Sequence, residues 1–87
     1  DAAEWLLERN VKMIAVDTID PELPSDLRPD GFDFPVHRKL LQQGVLIAEQ
    51  LAKLNTLAGR RVEFLFAPLP IVGCDGAPAR VLGRTVN

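Results

Sequence analysis

The spacing of hydrophobic residues predicts a helix and then a strand at the start of the chain. Ala3, Leu6 and Leu7 share one helical face within residues 1–10, and Asp1 with Glu4 forms an aspartate version of a capping box. Asn10 suits the left-handed conformation that ends helices. The β-rich apolar run 11–16 is too short for a helix, so we expect a buried strand there.

Residues 18–35 are predicted to form a long loop, because four prolines and a glycine interrupt them. The loop contains five acidic residues: Asp20, Glu22, Asp26, Asp30 and Asp33. Loops of this length often act as lids, binding loops or subunit contacts. An ordinary solvated surface loop is an equally good interpretation.

A second helix is predicted over residues 36–43, ending at Gly44. The apolar run 45–48 is short and favours a buried strand, and a helical turn is predicted after it, over residues 50–54. The alternative is a single helix over about residues 46–57, because Ile47, Leu51 and Leu54 also keep helical spacing.

The last third of the chain has the alternating pattern of β-structure. Val62, Phe64 and Phe66 alternate with Glu63 and Leu65 within a strand predicted over 61–69. The segment 73–78 is rich in turn-forming residues, and a second strand over 79–86 completes a hairpin. The fold class is therefore mixed α/β with a C-terminal β-hairpin, in a single domain spanning residues 1–87.

Composition narrows the function classes. Net charge is −2 with both signs scattered, so no basic surface for nucleic acid is expected. No run of 18 apolar residues occurs, which argues against a membrane span. The single cysteine, Cys74, excludes an internal disulfide and indicates a reducing compartment such as the cytoplasm. Asp1 occupies the place of an initiator methionine, so we expect the chain either to begin inside a larger unit or to lack its natural start.

The residues with the clearest chemical potential are His37, the only histidine, and Glu49, twelve positions later among apolar residues. Each also has a plain interpretation, as a packed or surface histidine and as a solvent-facing carboxylate. The helix leaves His37, reverses at Gly44 and returns as a strand, so both side chains are expected near one point. Asp17 and Asp20 are further candidate carboxylates, and Cys74 is interpreted as an incidental thiol.

An ordered set of motifs resembles the C-terminal half of the cyclase family, which includes bacterial kynurenine formamidases (arylformamidases) and isatin hydrolase. The motifs are Ala2-Ala3-Glu4-Trp5-Leu6, Ile14-Ala15-Val16-Asp17-Thr18, Asp20-Pro21, Phe34-Pro35-Val36-His37-Arg38 with Leu40-Leu41, Glu49-Gln50-Leu51, Phe64 to Ile71, and Gly73 to Arg80. Together they cover nearly the whole chain.

The resemblance implies a partial swivelling β/β/α fold and metal-dependent hydrolysis of an amide, as in the kynurenine pathway, with Zn²⁺ or Mn²⁺. It also implies that His37 and Glu49 are metal ligands. The main metal motif of the family, histidine-x-glycine-threonine-histidine-x-aspartate, does not occur in these residues. The family's glutamate-asparagine-leucine is replaced here by Glu49-Gln50-Leu51.

Two functions remain open from the sequence. In the first, the chain is the C-terminal portion of a metal-dependent hydrolase, inactive without a missing N-terminal half. In the second, it is a non-catalytic domain that oligomerises or binds a partner or small ligand. Both lead us to expect a homo-oligomer or a completing N-terminal partner, because an incomplete fold leaves sheet edges and apolar faces uncovered.

Overall fold

The structure is a computed structural model that describes residues 1–87, and it contains two helices and two small sheets. The chain divides into two compact units, Asp1–Ala52 and Lys53–Asn87. The mixed α/β fold class with a C-terminal hairpin is confirmed. The single-domain assignment stays a prediction. None of the helices has the length and apolar character needed to cross a bilayer.

The first unit is built from a helix–strand pair that occurs twice. Helix α1 (Ala2–Glu8) precedes strand β1 (Met13–Ala15), and helix α2 (Pro35–Gln42) precedes strand β2 (Leu46–Ala48). β1 and β2 pair in parallel, with Ile14 opposite Ile47. The predicted helices and strands are thus confirmed, and the alternative of one helix over residues 46–57 is wrong.

Both helices end in the same way, which explains the sharp entry into each strand. After α2, Gly44 is left-handed with φ +75°, its N–H donates to the carbonyl of Leu41, and the N–H of Val45 donates to the carbonyl of Leu40. This is the Schellman arrangement. After α1, Asn10 (φ 53°) and Val11 form the corresponding bonds.

The core of the first unit lies where the two helices and the parallel strands meet. Only Ala3, Leu40 and Val45 are fully enclosed. Six partly buried side chains pack against them: Leu6, Leu7, Val11, Ile14, Val36 and Ile47. The strands that we expected to be buried are therefore only half-buried, because nothing in the unit covers their second face.

Between β1 and α2, the predicted loop is confirmed apart from a single 3₁₀ turn at Ser25–Leu27. In the second unit, a 3₁₀ turn at Leu54–Leu57 occurs later than the helical turn predicted over 50–54. Strands β3 (Val62–Pro68) and β4 (Ala79–Thr85) form the predicted antiparallel hairpin, with Leu65 opposite Leu82.

Replacing Gly44 with alanine should lower the free energy of unfolding by about 1–2 kcal/mol, because a Cβ disfavours the left-handed conformation. A Cβ at this position meets no atom within 4 Å, so the loss would come from backbone strain alone. Urea denaturation followed by circular dichroism measures the change. Asn10→Gly, at the equivalent end of α1, is the matched control and should change stability by less than about 0.5 kcal/mol. Equal losses in the two variants would contradict this explanation.

Candidate functional site

The candidate site is centred on His37, in the first turn of α2. This helix begins at Pro35, whose missing N–H costs nothing at a helix start. Phe34 before it is left-handed, with φ 52° and ψ 61°, and so redirects the chain from the loop into the helix. The ring of Phe34 meets the imidazole edge-on, with centroids 6.0 Å apart.

Glu49 reaches the same point from the end of β2. Its position is fixed by the parallel pairing, which continues past the strands: Val16 N–H donates to the carbonyl of Ala48, and Gln50 N–H donates to the carbonyl of Thr18. The Nε2 atom of His37 lies 2.9 Å from Oε1 of Glu49. The structure thus brings the two predicted residues together, and their role as metal ligands stays a prediction.

A third residue of the site, Glu22, was not predicted from the sequence. Oε1 of this residue accepts the backbone N–H of His37 at 2.7 Å and lies 2.9 Å from the ring Nδ1. The Glu22 side chain is 1% exposed, against 32% for Glu49. Glu22 was one of five acidic residues in a loop, and its place next to Pro21 is shared with Asp20.

A clamp within the loop holds Glu22 in place. Nη2 of Arg28 contacts both carboxylate oxygens of Asp20, at 2.9 and 2.7 Å, and its Nε donates to the carbonyl of Leu23. Oδ1 of Asp20 then accepts the backbone N–H of Glu22 at 2.9 Å. Arg28 therefore connects both sides of the loop and sets the backbone from which the Glu22 carboxylate extends.

The clamp also changes the acidity of Asp20. The hydrogen bond from Arg28 has the largest effect and that from the Glu22 N–H the next largest, and both lower the pKa of this carboxyl. Both oxygens of Asp20 contact Arg28, and Asp20 is not one of the two carboxylates that contact the His37 ring. Asp17 is exposed and outside the hydrogen-bonded cluster, and Cys74 is an exposed thiol in the hairpin turn.

His37 lies between two carboxylates, and this determines its protonation. Partial burial lowers the pKa of His37, but the hydrogen bonds and negative charges of Glu22 and Glu49 outweigh burial, so the pKa is raised above the ordinary 6.5. Because carboxylates only accept hydrogen bonds, both ring contacts are satisfied together when the ring is an imidazolium that donates from each nitrogen.

The backbone is left-handed immediately after Glu49 as well as before α2. Gln50 has φ 56°, a conformation that costs energy for a residue with a Cβ. Asparagine adopts it more readily than glutamine. Non-glycine residues in such conformations cluster at functional sites, where the surrounding structure holds them. Here the two left-handed residues are Phe34, three positions before His37, and Gln50, directly after Glu49.

The donor atoms fit part of a metal site. An imidazole nitrogen and a carboxylate oxygen bound to one tetrahedral Zn²⁺, at bond lengths of about 2.0–2.2 Å, lie about 3.4 Å apart, so the 2.9 Å contact seen here is a hydrogen bond that would lengthen by about 0.5 Å to admit an ion. Glu22 contacts the opposite ring nitrogen, and no group of three or more histidine, cysteine or acidic side chains is arranged to hold a metal ion. The chain thus offers two candidate ligands, His37 and Glu49.

Comparison with known proteins shows a similarity to a kynurenine formamidase. The chain is 34% identical, over 86 residues, to the kynurenine formamidase of Salinibacter ruber (strain DSM 13855 / M31). The similar region covers 97% of this chain and 37% of the relative's length. It supports a relationship to the cyclase family. No protein-family model matches the chain, and no solved structure matches it.

The raised pKa of His37 predicts how stability depends on pH. A folded-state pKa above the unfolded value of 6.5 contributes stability that is fully present below pH 6.5 and is lost as the pH rises through the raised pKa. We therefore expect the free energy of unfolding to be higher at about pH 6 than at about pH 9, with His37→Gln removing this part of the difference. Urea titrations at the two pH values make the comparison.

His37 also allows a direct measurement, because its ring gives the only histidine Cε1–H signal. An NMR titration should place its midpoint above 6.5, and Glu49→Gln should lower it by removing a negative charge. Glu8→Gln is the matched control, because Glu8 is exposed in α1 and makes none of the ion pairs. A midpoint below 6.5 in the unmodified chain would contradict the assignment of charged contacts on both ring nitrogens.

Proposed function

We propose that the chain is the C-terminal portion of a cyclase-type, metal-dependent amide hydrolase similar to kynurenine formamidase, with a partial swivelling β/β/α fold. The observation that carries the proposal is the 2.9 Å contact between Nε2 of His37 and Oε1 of Glu49. The similarity to the Salinibacter ruber enzyme supports it. With one unpaired cysteine, we propose that the hydrolase works in the cytoplasm.

In this proposal His37 and Glu49 hold Zn²⁺ or Mn²⁺ jointly with ligands from elsewhere. When bound, such an ion activates water and polarises the carbonyl of the amide. His37 contributes a neutral nitrogen ligand, and Glu49 contributes a negative charge that offsets part of the charge of the ion. The first turn of α2 and the end of β2 position the two donor atoms next to each other.

The chain alone is proposed to be inactive. A catalytic zinc ion is commonly held by three protein ligands with an open position for water, and this chain offers two candidates, His37 and Glu49. The similar region spans 37% of the relative, so the remaining ligands would belong to the part of the protein outside this similarity. We place that part N-terminal to the present residues, either on the same polypeptide or on a partner chain.

A complementation assay tests this function. The 87-residue chain is mixed with the N-terminal part of the Salinibacter ruber enzyme, and hydrolysis of N-formylkynurenine is followed with added Zn²⁺ or Mn²⁺. We expect hydrolysis only when both parts and the metal are present. Each of His37→Asn and Glu49→Gln should lower the rate at least about 100-fold, because each removes a ligand.

Glu8→Gln and Cys74→Ser are the matched controls, since both residues are exposed and outside the site, and both variants should retain full activity. Equal activity of Glu49→Gln and Glu8→Gln in the mixture would overturn the assignment of Glu49. Absence of metal binding in every combination would favour the alternative function below.

The alternative is a non-catalytic, cyclase-like domain that oligomerises or binds a partner. It rests on the apolar surface of the hairpin. No residue of the second unit is fully enclosed, and Leu65 and Leu82, directly opposite each other in register, are 58% and 49% exposed. An isolated two-stranded hairpin is at best marginally stable in water, so this unit needs cover from other protein.

Self-association is the expected result if a second copy supplies that cover. Multi-angle light scattering at micromolar concentration should give the mass of a dimer or larger. Leu65→Asn should shift the distribution towards the monomer, whereas Glu63→Gln, on the same strand and face, should not. A monomer of uniform mass in the unmodified chain would count against self-association.

A further inference from the structure

Glu22 has more contacts with His37 than packing of the loop requires. A single oxygen, Oε1, meets both the backbone N–H and the ring Nδ1 of His37. The side chain is enclosed, and the other oxygen, Oε2, is buried without a hydrogen-bond partner. A buried carboxylate oxygen with no donor is destabilising, so Glu22 is a poor choice for stability alone.

These two contacts fix the imidazole in position and in rotation. The backbone N–H locates Oε1 relative to the helix, and the bond to Nδ1 then sets the plane of the ring. As a result Nε2 faces Glu49 at 2.9 Å. When Nε2 serves as a metal ligand it carries no proton, so the ring proton is then on Nδ1, where the enclosed Glu22 accepts it.

We propose that Glu22 is a positioning residue for the metal site: it binds His37 through Nδ1 and thereby presents Nε2, beside Glu49, to the ion. The proposal rests on the proposed function for the identity of the ion. Carboxylates that accept the second N–H of a metal-binding histidine orient the ring and increase its basicity as a ligand. Glu22 is not itself a ligand, because its Oε1 meets the ring nitrogen that faces away from Glu49.

The loop clamp extends this support outward. Arg28 binds Asp20, Asp20 accepts the N–H of Glu22, and Glu22 binds His37. The long acidic loop therefore has a specific task, since it holds one carboxylate behind the histidine. The effect of Arg28→Gln should resemble that of Glu22 replacement, in weaker form.

The first test needs no metal. In the uniformly ¹⁵N-labelled chain, long-range ¹H–¹⁵N correlations of the only histidine report which ring nitrogen carries the proton in the neutral form. We expect the proton on Nδ1 in the unmodified chain and on Nε2, the preference of free histidine, in Glu22→Leu. Glu22→Gln keeps a similar size and an acceptor oxygen, and should retain part of the Nδ1 preference.

The second test measures metal binding by the full 87-residue chain. ZnCl₂ is titrated while the His37 ring signals are followed, in a Cys74→Ser background that removes the exposed thiol. Glu22→Leu should weaken binding about 10- to 100-fold, and Glu22→Gln less. Glu8→Gln should leave the affinity unchanged. Backbone ¹H–¹⁵N spectra establish that each variant is folded before its affinity is compared.

The outcomes separate the two proposals. A folded Glu22→Leu variant with an unchanged tautomer and unchanged zinc affinity would overturn the positioning role and leave the hydrolase proposal intact. If the unmodified chain binds no zinc, alone or with the complementing part, the hydrolase proposal and the metal role of Glu22 both fail. A tautomer change combined with weaker zinc binding supports both.

Discussion

The hydrogen bonds on both sides of the His37 ring join three segments that are distant in sequence. Glu22 belongs to the loop, His37 to the first turn of α2 and Glu49 to the end of β2. A charged donor between two carboxylates forms stronger hydrogen bonds than neutral partners do. In a unit that encloses only three side chains, such bonds largely determine where the loop lies.

The repeated helix–strand pair explains why these segments meet. Each helix ends in a left-handed residue followed by a valine, Val11 or Val45, that packs in the core just before the strand begins. Because the strands run parallel, their C-terminal ends lie at one edge. The first turn of α2 and the loop after β1 reach the same edge. Ligand sites of α/β sheets commonly lie at such edges.

The helices, the strands and the approach of His37 to Glu49 could be predicted from the sequence, because hydrophobic periodicity and the chain reversal at Gly44 are local signals. The prediction was weakest over residues 46–57, where the spacing of apolar residues suits both a strand and a helix. There the pairing with β1, a long-range interaction, decided for the strand. The position of the second 3₁₀ turn was missed for the same reason.

Glu22 could not have been found from sequence, because its role depends on how an irregular loop folds. Nothing in the spacing separates it from Asp26 or Asp30, which remain exposed. Arg28 gave the loop its shape through contacts with Asp20, a carbonyl and the faces of Phe32 and Phe34. Such contacts have no periodic signature.

Much apolar surface is left uncovered within these residues. The strands β1 and β2 are half-buried, and the hairpin exposes Leu65 and Leu82 on one face. Each of these is apolar surface of the kind that contacts with other protein cover. The His37–Glu49 contact, in contrast, is already formed within residues 1–52, with its supporting carboxylate in place. Folding of the first unit alone therefore orders these three side chains against one another, and a ligand that met them would not have to supply that cost.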